Sequence, residues 1–121
     1  MNLSELEKDI LGDMQFDTHE LWEWYSFIRT HYPSMSEDEV IEFGYNLFVT
    51  WVGRDWLIFY KSRQNSNVLT SSEFLQLIQS MGKAAANPEH AATVLELSRK
   101  ASKDVSWLKP MNTANISPEK E

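Results

Sequence analysis

His19, Glu20 and Glu23 are the first residues of this chain whose types and spacing suggest chemistry. A zinc-protease helix carries a second histidine four residues after the first, but that position here is Glu23. The di-iron pattern of Glu-x-x-His on two helices does not occur either. The chain has no cysteine, three scattered histidines and four unclustered glycines, so it offers no recognisable nucleophile or phosphate-binding loop. We therefore predict a protein that is not an enzyme and holds no metal or cofactor.

The negative charge is concentrated in the first part of the chain. Residues 1–45 contain eleven acidic and two basic residues, and residues 46–121 contain seven acidic and nine basic ones, for a net charge of −7. Large aromatic residues crowd into the same acidic part. Carboxylates can steer a basic partner and aromatic rings can anchor it. The distribution thus favours a protein that binds a basic partner.

Helical spacing selects the residues that could form such a surface. In a helix that starts within residues 17–20 and ends near Tyr32, Phe27 falls outside the inward-facing apolar stripe, on the acidic side. The predicted partner-binding residues are Asp17, Glu20, Glu23, Phe27, His31, Glu39 and Glu42. Two alternatives stay open. Phe27 could be covered by the first helix or by residues 56–60, and the acidic residues could serve only solubility.

The elements that must position these residues are mostly helical. Capping boxes of the form Ser/Thr-x-x-Glu at Ser4, Ser36 and Thr70 predict helix starts. The corresponding helices cover about 5–14, 37–52 and 71–82, and the second of these is apolar over most of its circumference. Residues 56–60 are predicted as a short strand, with a short helix as the alternative and a hairpin partner near 68–69.

A last helix is predicted from Asn87-Pro88, as N-cap and first helical position, to about Asp104. The predicted fold is mainly α, with about five helices around a central apolar helix and one short β element near 56–60. Residues 1–109 are predicted to form a single globular helical domain. Residues 110–121 are predicted to form a disordered tail, because they are polar and interrupted by proline.

The composition also limits the partners and the compartment. A pI near 4.9 opposes direct binding to nucleic acid or to anionic lipid. The order of elements is similar to a winged-helix arrangement, but residues 37–52 contain no Lys or Arg with which to read DNA. The chain shows no secretory signal and no apolar run long enough for a membrane span. We therefore expect a cytoplasmic monomer or homodimer.

In length, acidity, lack of cysteine and richness in Trp and Tyr, the chain resembles bacterial immunity proteins of toxin–immunity pairs. The resemblance lies in overall character and transfers no site residues. It implies a protein that binds a basic toxin, with a nuclease favoured because a nuclease must be cationic where it holds phosphates. The alternative is a structural or adaptor module that acts through homo- or hetero-oligomers.

Overall fold

The protein is mainly α-helical and carries a small antiparallel sheet. A computed structural model describes residues 2–65, 67–89 and 93–108. The helices are α1 (Glu5–Met14), α2 (Leu21–His31), α3 (Glu37–Gly53), α4 (Ser71–Met81), a 3₁₀ helix (Gly82–Ala86) and α5 (Arg99–Asp104). The strands are β1 (His19–Glu20), β2 (Leu57–Tyr60), β3 (Val68–Leu69) and β4 (Val94–Leu97). The sheet order is β1-β4-β2-β3, and all neighbouring strands are antiparallel.

The three predicted capping boxes are confirmed. The side chains of Ser4, Ser36 and Thr70 each accept a hydrogen bond from the backbone N–H three residues later. The glutamate at that third position accepts one from the N–H of the capping residue in return. Each box therefore satisfies two backbone N–H groups that the first turn of a helix cannot pair internally. Gly82, with a φ of 54°, ends α4 as the sequence indicated.

The sheet is larger than the single β element that we predicted. Residues 57–60 form a strand, so the alternative of a short helix there is wrong, and the predicted hairpin partner at Val68–Leu69 is confirmed. The predicted last helix is wrong over Val94–Leu97, which pair with both β1 and β2. Val94, Leu95 and Leu97 are buried in this segment and Glu96 is only partly buried, so the backbone pairing rather than a strict two-residue period identifies the strand. Ser98 then caps the short α5; residues 90–92, within the predicted helix, lie outside the described residues.

Helix α2 begins later than predicted, because its expected first residues belong to the sheet. His19 and Glu20 pair with Leu95 and Val94, and the N–H of Leu21 donates to the carbonyl of Thr93 at 3.0 Å. These backbone groups are committed to β4, so the helix starts at Leu21. The consequence for His19 is burial, because its side chain lies on the same face of the sheet as that of Leu95.

Aromatic side chains fill much of the core. Trp24 stacks on Phe48 at 4.0 Å between ring centroids, and its indole N–H donates to the carbonyl of Gly44 at 3.1 Å. Helices α2 and α3 approach closely at Gly44, because its missing side chain leaves room for the ring of Tyr25.

The hydrophobic core continues to the end of the described chain. Leu108 is buried, whereas Trp107 is half-exposed. The predicted tail, residues 110–121, lies outside the described residues. Within the part of the chain that the structure describes, no helix combines the length and the apolar character that crossing a bilayer requires.

Candidate partner-binding surface

The acidic residues of α1 lie beside α2 because the two helices run antiparallel. Apolar residues hold α1 against the core through one face, which leaves Asp9 and Asp13, one turn apart, on its exposed side. Asp13 Oδ2 lies 2.6 Å from His19 Nε2 at one end of the helix pair. Asp9 Oδ2 lies 2.6 Å from His31 Nε2 at the other. Two histidine–carboxylate contacts thus join α1 to the β1–α2 segment.

His19 is buried and contacts the carboxylates of Asp13 and Glu23. Its side chain is 2% exposed, and its Nε2 lies 3.7 Å from Glu23 Oε1 in addition to its contact with Asp13. Its ring stacks on Phe27, with 5.5 Å between centroids and 15° between planes. The Nδ1 atom is buried and has no hydrogen-bond partner. Within the described residues no group of histidines and carboxylates has the arrangement of a metal site.

Glu20 is held in place by two donors. Its Oε1 accepts a hydrogen bond from the indole N–H of Trp22 at 2.6 Å, and its Oε2 accepts one from Arg63 Nε at 2.9 Å. The bond from Trp22, followed by that from Arg63, lowers the pKa of Glu20. Arg63 comes from the connection between β2 and β3, so this pair joins the sheet to the start of α2.

Glu23 and Arg63 respond to the charges around them. Burial raises the pKa of Glu23, and the nearby charges of Glu20 and Asp13 raise it further, although His19 opposes them. The hydrogen bond to Glu20 raises the pKa of Arg63, and the charges of Asp17 and Glu23 add to that effect. We call the set of four neighbouring carboxylates the acidic N-terminal surface; it comprises Asp13, Asp17, Glu20 and Glu23.

The exposed aromatic ring of this surface is Phe16, which we did not predict. Phe16 is 64% exposed and lies in the turn after α1, three residues from Asp13 and next to Asp17. Phe27 instead is partly buried and packs against the core. The only signal in the sequence was the position of Phe16 between two aspartates, just beyond the last inward-facing residue of α1. Whether a neighbouring element covers such a ring depends on the tertiary fold, which helical periodicity does not report.

The seven predicted residues do not form one surface. Asp17, Glu20 and Glu23 come together, with Phe27 packed below them. His31 lies at the far end of α2 and lines a hollow together with Glu39, whose carboxylate is also engaged in the capping box with Ser36. Glu42 lies in a separate groove between α3 and the end of α4.

The acidic N-terminal surface can bind cations and hydrogen-bond donors. Asp13 and Asp17 are exposed, and Glu20 and Glu23 are partly accessible, with 32% and 28% of their side chains exposed. Comparisons of the chain with protein-family models, with curated proteins and with solved structures found no match.

Proposed function

We propose that this protein is a non-enzymatic binding protein that neutralises a basic protein in the cytoplasm, with a nuclease toxin as the favoured partner. The observation that carries the proposal is the acidic N-terminal surface with Phe16 exposed at its edge. An exposed ring that is flanked by carboxylates can enter a pocket of the partner while the charged rim pairs with lysines and arginines.

The electrostatics support a nuclease as the target. A nuclease concentrates positive charge where it holds phosphates, and carboxylates can occupy the same positions. Opposite charge on the two proteins accelerates association to well above the ordinary rate of about 10⁵–10⁶ M⁻¹s⁻¹. Salt screens this attraction over a Debye length of about 10 Å at 0.1 M, so the association rate should fall as salt is added.

The buried state of His19 argues for binding rather than catalysis at this surface. A general base must reach a proton on the substrate. The Nε2 of His19 already contacts Asp13, and its Nδ1 is enclosed.

The second candidate is an adaptor module that forms a homodimer through α3. In this proposal α3 is the central apolar helix of the fold, and its outer side forms the interface. The observation in its favour is Val49, which is 43% exposed on this helix. Against it, other apolar residues of α3 such as Val40, Phe48 and Trp51 are buried within the chain. Such an interface would be insensitive to salt.

Affinity capture from a lysate of the native host, with elution by a salt gradient, tests the first proposal. The expected result is a basic protein that elutes at high salt. Binding of that protein is then compared for Phe16→Ala, Asp17→Lys and Glu89→Lys. Glu89→Lys is the matched control because it makes a similar charge change at an exposed residue outside the acidic N-terminal surface.

The expected outcome is an affinity loss of at least about tenfold for Phe16→Ala, as for a hot-spot residue. For Asp17→Lys we expect slower association with a weaker dependence on salt. Neither residue is buried, so both variants should remain folded. If both variants bind the captured protein as wild type does, the acidic N-terminal surface is not the interface. Self-association that salt does not weaken would instead favour the adaptor.

A further inference from the structure

A groove of about 350 Å³ lies between the N-terminal half of α3, the end of α4 and the start of the 3₁₀ helix. Its volume falls within the range of about 300–1,000 Å³ that is usual for ligand pockets. Ile78 and Tyr25 are its buried residues and form the floor, whereas Ile41 and Tyr45 are partly exposed. Its walls are therefore largely apolar and aromatic.

The floor contains a hydroxyl with no hydrogen bond to the described residues. Tyr25 is 1% exposed, and its hydroxyl is not among the fully enclosed unpaired atoms of the described residues, which are His19 Nδ1 and Ser102 Oγ, so it opens onto the groove. Burial raises the pKa of this phenol far above its usual range, so the hydroxyl stays protonated and can both donate and accept. Tyrosine hydroxyls that are buried in a core usually find a partner. The hydroxyl of Tyr25 is therefore available to a ligand in the groove.

The rim of the groove is acidic. Asp38 and Glu42 are exposed along it, and the ammonium of Lys83 lies 3.3 Å from Asp38 and 3.7 Å from Glu37. Lys83 shows that this rim accommodates a cationic group. Glu42 has no ion-pair partner among the described residues and is free to take a second one.

Helix α4 adds to the attraction for a cation. It ends at Gly82, which lines the groove together with Gln79 of the last helical turn. The carbonyl end of a helix carries a partial negative charge that favours positive groups within about one turn. Aromatic faces such as that of Tyr45 attract cations as well.

We propose that this groove binds the side chain of an arginine from a basic peptide segment. The aliphatic stem of an arginine packs against apolar walls such as Ile41 and Ile78. Its planar guanidinium has enough donors to bond the carboxylate of Glu42 and the hydroxyl of Tyr25 together. The site lies apart from the acidic N-terminal surface and does not depend on the function proposed for that surface.

The test is an NMR titration of the ¹⁵N-labelled protein with N-acetyl-arginine amide. N-acetyl-citrulline amide is the matched control ligand, because it keeps the shape of the side chain and removes its charge. We expect saturable shifts at the amides of residues 41–45 and 82–83. We expect at least about tenfold weaker binding of the citrulline compound, since a charge-assisted hydrogen bond is lost.

Two substitutions locate the binding residues without endangering the fold. Glu42→Gln removes the exposed charge, and Tyr25→Phe removes an oxygen that makes no hydrogen bond with the described residues. Each should weaken binding of the arginine compound about three- to tenfold. Asp17→Asn, on the acidic N-terminal surface, should leave the affinity unchanged.

Three results would overturn the proposal. These are equal binding of the arginine and citrulline compounds, wild-type affinity in both groove variants, and shifts centred on α1 and the start of α2. Because the probe is a small molecule added to the isolated chain, failure of the protein partner to bind the acidic N-terminal surface would not affect this result.

Discussion

Replacement of Gly44 by alanine should destabilise the protein, although alanine is the better helix former. A Cβ at this position would lie 2.9 Å from Tyr25 Cδ1, closer still to Tyr25 Cε1, and 3.2 Å from Ile28 Cδ1. Carbon atoms in contact normally lie about 3.5–4.0 Å apart. The added methyl group therefore displaces the ring of Tyr25 or pushes α3 away from α2.

The size of the effect follows from two opposing terms. Alanine in a helix interior gains about 1 kcal/mol over glycine. Overpacking of a well-filled core costs about 1–3 kcal/mol, and the upper end applies here because Tyr25 is 1% exposed and its ring contacts Phe48 edge-on. We expect a net loss of about 1–2 kcal/mol in the free energy of unfolding.

Gly12 in α1 provides the matched control. A Cβ at Gly12 meets nothing within 4 Å, so Gly12→Ala should gain up to about 1 kcal/mol from helix propensity alone. The two variants make the same chemical change and should shift stability in opposite directions.

Urea denaturation followed by tryptophan fluorescence and by circular dichroism measures both free energies. Trp24 donates to the carbonyl of Gly44, so the emission of the folded state should also change in Gly44→Ala. The reasoning is refuted if Gly44→Ala is as stable as Gly12→Ala, because α2 and α3 would then not be in the close contact described.

Three further predictions concern residues with more than one contact. Glu7 belongs to the capping box of α1 and also accepts a hydrogen bond from the indole N–H of Trp51 at 2.9 Å, so Glu7→Ala should lower the free energy of unfolding by about 2–4 kcal/mol. Glu73→Ala breaks only a capping box and should lower it by about 1 kcal/mol in the same denaturation assay. Equal losses in the two variants would contradict the role of Trp51. Phe27→Ala should lower the free energy of unfolding by about 1–3 kcal/mol through lost packing on His19 and the core, and a variant that loses partner affinity without losing stability would make Phe27 an interface residue instead. The pKa of Glu20 is lowered in the folded protein, so its stabilising effect is present above the ordinary value near 4.5 and is lost as the pH falls below it. Glu23 has a raised pKa, so the folded state binds its proton more tightly and stability falls as the pH rises above the same value. The free energy of unfolding, measured from pH 4 to pH 7, should therefore fall less on acidification in Glu20→Gln than in wild type. It should fall less on alkalinisation in Glu23→Gln than in wild type. Parallel curves for the two variants would exclude this assignment.

Local sequence signals predicted where the capped helices start, whereas the pairing of the sheet depends on contacts between residues that are distant in sequence. The capping boxes at Ser4, Ser36 and Thr70 need only residues within one turn, and all three formed as predicted. Strand β4 was missed because its four residues become a strand only by pairing with β1 and β2, which lie far away along the chain. A short apolar run carries no periodicity strong enough to reveal such pairing.

The candidate surface was predictable to a similar extent. The acidic character of Asp17, Glu20 and Glu23 was readable from composition and spacing. The exposure of Phe16 and the partial burial of Phe27 were not predictable, because the exposed fraction of a ring depends on which elements pack over it. His19 likewise could be placed under the surface only once β1 was known to pair with β4.

The position of β4 has a consequence for how this protein is made on the ribosome. Strands β1 and β2 do not pair with each other and are joined only through β4, which is the last of the four strands to be synthesised. Until Val94–Leu97 leave the exit tunnel, β1 and the inner edge of β2 have no hydrogen-bonding partner, and unpaired edges are prone to aggregation. A nascent or truncated chain that stops before Val94 would contain the β2–β3 hairpin and the residues of β1 without a sheet to connect them.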